Sequence, residues 1–252
     1  MRIDHLVIHT DNDSPKLQTI KDCAVANGYP FDPDKGKKNS EYRSSNINVG
    51  SEYIEIIRVL KPGAQSWMPL WSRYYDEGKR GVYCIFLEVE DVERTAVSLK
   101  RAGLRLRGPA VLTYPSLLGM LRMEAPYLIY YLPNFPDTHL QLALMQYKKP
   151  ESREGFMLGL QPNANQNGIN GIRRVEVELP NLDESTELLQ KVFSSLQLEN
   201  GEWIANLDKQ RLIFRHSADQ SVHVRVATVT SQKQYVGKKF QVDNVEVVTT
   251  GG

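Results

Sequence analysis

Residues 4–10 read Asp-His-Leu-Val-Ile-His-Thr, residues 83–89 read Tyr-Cys-Ile-Phe-Leu-Glu-Val, and residues 173–179 read Arg-Arg-Val-Glu-Val-Glu-Leu. All three alternate apolar and polar side chains, the period-two signature of a strand with one buried face. Each runs into an amphipathic stretch: SPKLQTIKDCAVANG, DVERTAVSLKRAG and LDESTELLQKVF. Leu17, Ile20 and Ala24 form one apolar stripe, and Val92, Ala96 and Leu99 another, as helices lying on a sheet require. Ser14 before Pro15, and Asp91, read as helix starts, and Gly28 and Gly103 as helix ends. In register, His5, Cys84 and Arg174 are equivalent positions. The copies lie too far apart for a solenoid and suit a small α+β unit.

Extended segments follow each helix, and the last of each set alternates clearly at 52–58, 139–144 and 221–227. The repeating unit is therefore β-α-β-β-β, present three times, with the third copy followed by the strand-like tail FQVDNVEVV. The fold class is α+β. Period two also sorts the faces. Leu6, Ile8, Ile54, Ile56, Ile85, Leu87, Val175 and Val177 belong under the helices. The opposite face collects His5, His9, Tyr53, Glu55, Cys84, Phe86, His139 and Gln141, and in the third copy Arg174, Glu176, His223 and Arg225. Imidazole, carboxylate, thiol and aromatic groups on a helix-free face mark either a solvated surface or a concave site.

Composition narrows the function classes. The 252 residues carry 31 Lys and Arg against 30 Asp and Glu, a net charge of +1, too balanced for a nucleic-acid or anionic-membrane partner bound through bulk charge. Apolar runs such as 127–132 fall far short of the roughly 20 residues of a membrane helix. The polar start MRIDH does not resemble a signal peptide, so a cytoplasmic location is expected. Two cysteines, Cys23 and Cys84, make neither a disulfide framework nor a CxxC metal knuckle.

The segments IDHLVIHT, SSN before a strand, YIEII and GVYCIFLEVEDVE together resemble the vicinal oxygen chelate superfamily, which includes glyoxalases, bleomycin-resistance proteins and dioxygenases, and most closely its glyoxalase-like branch. The resemblance covers residues 1–148 as one domain of two paired modules. Residues 149–167 then form a linker, and 168–252 a third related module with its tail. In that superfamily two modules build a curved sheet whose concave face holds a divalent metal, through a His on the first strand and a Glu on the last strand of each module. Carried over, His5 and Glu55 take these positions in module one. Module two departs from the pattern, with Cys84 and Gln141 at the equivalent places. The resemblance thus implies a mixed or degenerate site of His5, Glu55, Cys84 and Gln141 for zinc, iron, manganese or nickel, or no cofactor at all. Glu55 is the candidate proton-transfer residue, with Tyr53, Asn46, Phe86 and His139 as candidate substrate contacts. Two function classes follow: a protein that binds a small molecule in the cleft with a degenerate metal site, or a metal-dependent lyase, isomerase or dioxygenase.

Other features carry structural readings beside functional ones. His9 shares the face of His5 and could replace a missing ligand. His5, His139 and Glu55 could form a 2-His-1-carboxylate set. Trp67, Leu70, Trp71 and Tyr74, at helical spacing, either wall a pocket or pack as an amphipathic helix. Arg174 and Arg225 either hold an anion or pair with neighbouring carboxylates. A third module with no fourth copy leaves an unpaired sheet edge, so a homodimer with the tail as partial cap is expected.

Overall fold

The computed structural model describes residues 1–63, 68–110, 113–116 and 121–252, with side chains outside 113–116, 121–123 and 157. Strand β1 (Arg2–Thr10) leads into α1 (Ser14–Ala26), the short β2 (Lys37–Lys38), β3 (Tyr42–Val49) and β4 (Glu52–Val59). After α2 (Pro69–Asp76) the pattern returns with β5 (Gly81–Glu88), α3 (Val92–Arg101), β6 (Arg107–Ala110), β7 (Thr113–Ser116), β8 (Leu121–Glu124), β9 (Tyr127–Asn134) and β10 (Gln141–Tyr147). Helix α4 (Pro150–Leu158) precedes the second half: β11 (Ile169–Leu179), α5 (Leu182–Val192), β12 (Leu196–Glu199), β13 (Glu202–Leu207), β14 (Gln210–His216), β15 (His223–Thr230), β16 (Lys239–Val242) and β17 (Val245–Gly251). Asp91 caps α3 by accepting the Arg94 N–H at 2.8 Å, and Gly28 and Gly103 take the left-handed φ of +89° and +88° that favours glycine just past a helix.

The first eight-stranded sheet has the order β2-β3-β4-β1-β5-β10-β9-β6 and the second, seven-stranded, β12-β13-β14-β11-β15-β17-β16. In the first, β4 runs parallel to β1 and β5 antiparallel to it, and β10 joins β5 in parallel. The modules therefore pair through their first strands into one sheet.

The second sheet corrects one strand assignment. Residues 221–227 are expected as the last strand of the third module, but that place belongs to β14, which runs parallel to β11 with Leu212 opposite Val175. Strand β15 is antiparallel to β11, as β5 is to β1, and β17 joins β15 in parallel, as β10 joins β5. The supposed tail is thus part of a shortened fourth unit, 223–251, in which a single 3-10 turn at Lys233–Tyr235 stands where a helix would be. Without an amphipathic helix the fourth copy has no helical period to betray it. The ground for expecting a dimer, an unpaired third module, is met inside the chain.

One continuous apolar cluster joins the convex faces of both sheets, with Leu6, Ile54 and Leu142 from the first, Val175, Leu212 and Val226 from the second, and Ile20, Leu99 and Leu189 from the helices. Buried polar groups cross this junction in satisfied pairs. The Tyr29 hydroxyl lies 2.6 Å from both Thr228 and Thr249 hydroxyls, and Gln210 accepts the Ile3 N–H at 2.6 Å. Glu52 accepts the Ile172 N–H at 3.1 Å, and burial raises its carboxyl pKa. On the outer face of the second sheet, Arg174 pairs with Glu176 at 2.7 Å and Arg225 with Glu246 at 3.1 Å, the structural reading of those arginines.

Candidate functional site

The concave face of the first sheet carries a second, smaller apolar cluster that includes Val7, Ile57, Cys84, Phe86, Tyr131 and Met145. Over part of it opens a cavity of about 1100 Å³, just above the range of roughly 300–1,000 Å³ for small-molecule sites. Strands β1, β3 and β4 form its polar wall, and β5, β9, α2 and α4 supply Phe86, Tyr131, Trp71 and Phe156 on the apolar side. Trp71 is 3% exposed, and its helix is the amphipathic one expected there. Trp67 lies outside the described residues.

A bulge in β1 shapes the centre of the wall. Ile3 lies opposite Leu87 and His5 opposite Phe86, so Asp4 is an extra residue against β5. Ile3 and Leu6 can then both face the convex core while Asp4 and His5 share the other side. Asp4 Oδ2 sits 2.6 Å from His5 Nδ1, and both residues are buried. The imidazole is stacked between Tyr53, with centroids 4.4 Å apart, and Phe86, at 4.1 Å. With Nδ1 engaged by a carboxylate, Nε2 is the nitrogen left for a ligand in the cavity that His5 lines. Burial raises the Tyr53 phenol pKa well above its ordinary value, with Asp4 and Glu55 adding to the rise.

Glu55 and Asn46 are register partners on β4 and β3, as are Tyr53 and Asn48. Ser44 donates its hydroxyl to Glu55 Oε1. Asn48 donates through Nδ2 to the Pro162 carbonyl at 3.0 Å, which fixes its amide with Oδ1 buried and unpartnered, and Asn46 Oδ1 is likewise buried and unpartnered. All four residues and Tyr53 line the cavity with His5 and Phe86. The structure therefore brings together His5, Glu55, Tyr53, Asn46 and Phe86 from the residues singled out in the sequence.

The rest are placed elsewhere. Cys84 is fully buried in the smaller cluster, where burial pushes its thiol pKa well up and so favours the neutral form. Gln141 is fully buried, and its Oε1 accepts from the Arg107 guanidinium at 2.6 Å. His139 packs on Tyr83, centroids 4.9 Å apart, with Nε2 3.2 Å from the Arg80 carbonyl. It precedes β10 rather than lying in it, so the alternation that put it on the cleft face does not apply. His9 stacks on Tyr83 at 3.9 Å and is fully buried, and burial, with Arg80 and His139 nearby, lowers its pKa well below the ordinary value. None of these four lines the cavity.

This donor set does not fit a resident divalent metal. Cys84 favours the neutral thiol, and the one oxygen Gln141 could offer already holds a guanidinium, whose charge repels a cation. Among the described residues no group of three or more His, Cys, Asp and Glu side chains gathers as a metal site, although stable zinc sites need three or four protein ligands. Sequence reasoning missed Asp4, Asn48 and Arg107. Asn48 was accessible, being two positions on from Asn46 in an alternating strand; Asp4 was hidden by the bulge.

Among solved structures, a hypothetical protein from Staphylococcus aureus matches 100% of this chain and 99% of its own length, with a TM-score of 0.73 and 12% identity. That likeness carries the fold across both sheets. A methylmalonyl-CoA epimerase variant from Streptomyces coelicolor, in complex with 2-nitronate-propionyl-CoA, matches 59% of this chain and 99% of its own at a TM-score of 0.40 and 14% identity. The methylmalonyl-CoA epimerase from Mycobacterium tuberculosis matches 60% and 89% at 0.41 and 14%. No family model and no curated protein sequence matches the chain. Among the described residues no helix is long and apolar enough to cross a membrane.

Proposed function

We propose that this chain is a glyoxalase-like member of the vicinal oxygen chelate superfamily that binds a small molecule in the concave cleft of its paired modules, without a resident metal. The observation that carries this reading is the 1100 Å³ cavity, aromatic on one side and lined by His5, Glu55, Asn46 and Asn48 on the other. Apolar walls provide affinity through burial, and a few convergent polar groups fix orientation. Tyr53 and Phe86 hold the His5 ring, and Asp4 fixes which of its nitrogens faces the ligand.

An enzymatic role has one specific support. A buried carboxylate on the far nitrogen of an imidazole is the arrangement that orients a proton acceptor, and Glu55 stands on the neighbouring strand as a second acceptor. In this reading His5 and Glu55 move protons on the bound molecule, and the metal-dependent form of the chemistry finds no support in the donor set.

The test is binding of N-phenyl-1-naphthylamine, a neutral dye whose emission rises in apolar surroundings. It should bind the native protein, and Val7→Phe, which thickens the cleft floor, should weaken binding at least about tenfold while the melting transition stays cooperative. Dye binding that is absent, or indifferent to Val7→Phe, contradicts the cleft reading.

A further inference from the structure

The polar wall of the cleft carries several acceptors that lack a partner of their own. Glu55 takes one hydrogen bond, from Ser44, and among the described residues no Lys, Arg or His pairs with it, although Arg107 lies close enough to act, as Glu55 does, on the Cys84 thiol. Arg107 is instead directed to Gln141. Asn48 is 5% exposed, and its Oδ1, like that of Asn46, is buried without a partner beside the cavity. His5 lines the same wall with Nδ1 held by the Asp4 carboxylate. An unpartnered buried acceptor costs free energy, so a site carrying several is built for something that donates.

The apolar side matches the same occupant. Trp71, Phe86, Tyr131 and Phe156 face the cavity, and aromatic faces attract organic cations. At the mouth Lys35 and Lys37 are accompanied by Asp32 and Glu41, so the rim has no net bias, and the deeper charge is the Glu55 carboxylate. A bare divalent ion would find one free carboxylate and too few fixed ligands. We infer, building on the cleft reading above, that the occupant is a hydrophobic amine or amidine: a flat apolar body with a cationic, hydrogen-donating head seated against Glu55, Asn46 and Asn48.

The test uses three naphthalene probes of one shape on the native full-length chain: 1-naphthylmethylamine, 1-naphthylmethanol and 1-naphthoate, followed by calorimetry. The amine should bind at least about tenfold more tightly than the alcohol, the worth of a charge-assisted hydrogen bond, and the carboxylate most weakly. Glu55→Gln, a change of charge at nearly constant shape, should bring the amine down to the level of the alcohol. Equal binding of all three overturns the cationic occupant while leaving the cleft reading intact. Preferred binding of the carboxylate, lost in Arg107→Gln, overturns it in favour of an anion at Arg107. Failure of all three together with N-phenyl-1-naphthylamine removes the cleft reading as well. The native-protein comparison stands even if Glu55→Gln fails to fold.

Discussion

Asp4 and His5 are neighbours in sequence yet face the same side of β1, with Asp4 Oδ2 2.6 Å from His5 Nδ1. In a regular strand they would point to opposite faces. At the position that resembles a metal ligand, this bulge leaves a carboxylate-clamped imidazole stacked between Tyr53 and Phe86.

Removing the clamp's charge should be felt in both stability and tautomer. Asp4→Asn should cost about 1.5–3 kcal/mol in urea denaturation, the range for a buried hydrogen bond to a charged group. The nitrogen-15 shifts of the His5 ring should report the Nδ1–H form in the native protein. A loss under about 0.5 kcal/mol, ordinary for a surface change, would mean that the contact does not hold the ring.

The thiols should separate by burial. Cys23 is exposed and Cys84 fully buried with its thiol pKa raised, so a thiol reagent at neutral pH should label one cysteine per native chain and two after denaturation. Rapid native labelling of Cys84 would contradict its place behind the cleft wall and reopen it as a ligand.

His9 and His139 predict an acid limit to stability. Burial lowers both pKa values, for His9 well below the ordinary 6.5, so between the folded and unfolded values the unfolded chain binds more protons. Their contribution is therefore complete above about pH 6.5 and lost as pH falls below it. Denaturation at about pH 7.5 and about pH 5.5 should differ by about 1–2 kcal/mol, and His9→Phe should flatten the slope. Arg80 and Tyr83 face His9 in the same cluster, and Asp11 is paired with Arg80, so its titration lies lower. Glu52, with its raised pKa, acts in the opposite sense, which is why the His9 variant rather than the wild-type slope decides the matter.

Much of this fold was legible because period two and period 3.6 occur in plain sequence. The strands bearing Leu6, Ile54, Ile85 and Val175 and the stripe of Leu17, Ile20 and Ala24 lie in the structure where the alternation puts them. What stayed hidden has one physical cause: pattern reading assumes unbroken strands with known partners. The fourth unit at β15–β17 lacks the helix that marks its siblings, and β14, with Leu212, Ile213 and Phe214 in a row, alternates less clearly than β15, so the pattern points to the wrong strand as the parallel partner of β11. At the site, Glu55, Asn46 and Tyr53 follow from the alternation of β3 and β4, whereas Asp4 needs the bulge and Arg107 reaches Gln141 from a short edge strand. His139 was misplaced because it stands two residues before its strand begins.

Restoring the residues of the resembled metal site does not restore its geometry on this account. Cys84→His with Gln141→Glu would place an imidazole in a fully buried apolar position and a carboxylate against Arg107, which would bind it as an ion pair. Zinc titration of the double variant should show no stoichiometric high-affinity binding. A gain of about a hundredfold or more in zinc affinity would place Cys84 and Gln141 in the cleft after all.

A ligand cleft that works without a resident metal is tested by one paired measurement. Protein purified without added metal is analysed for zinc, iron, manganese and nickel, and its binding of 1-naphthylmethylamine is measured before and after exhaustive chelation. Far less than one metal per chain is expected, with the same affinity on both sides of the treatment. One tightly held metal per chain, with binding lost on chelation and regained when the metal is returned, would contradict it.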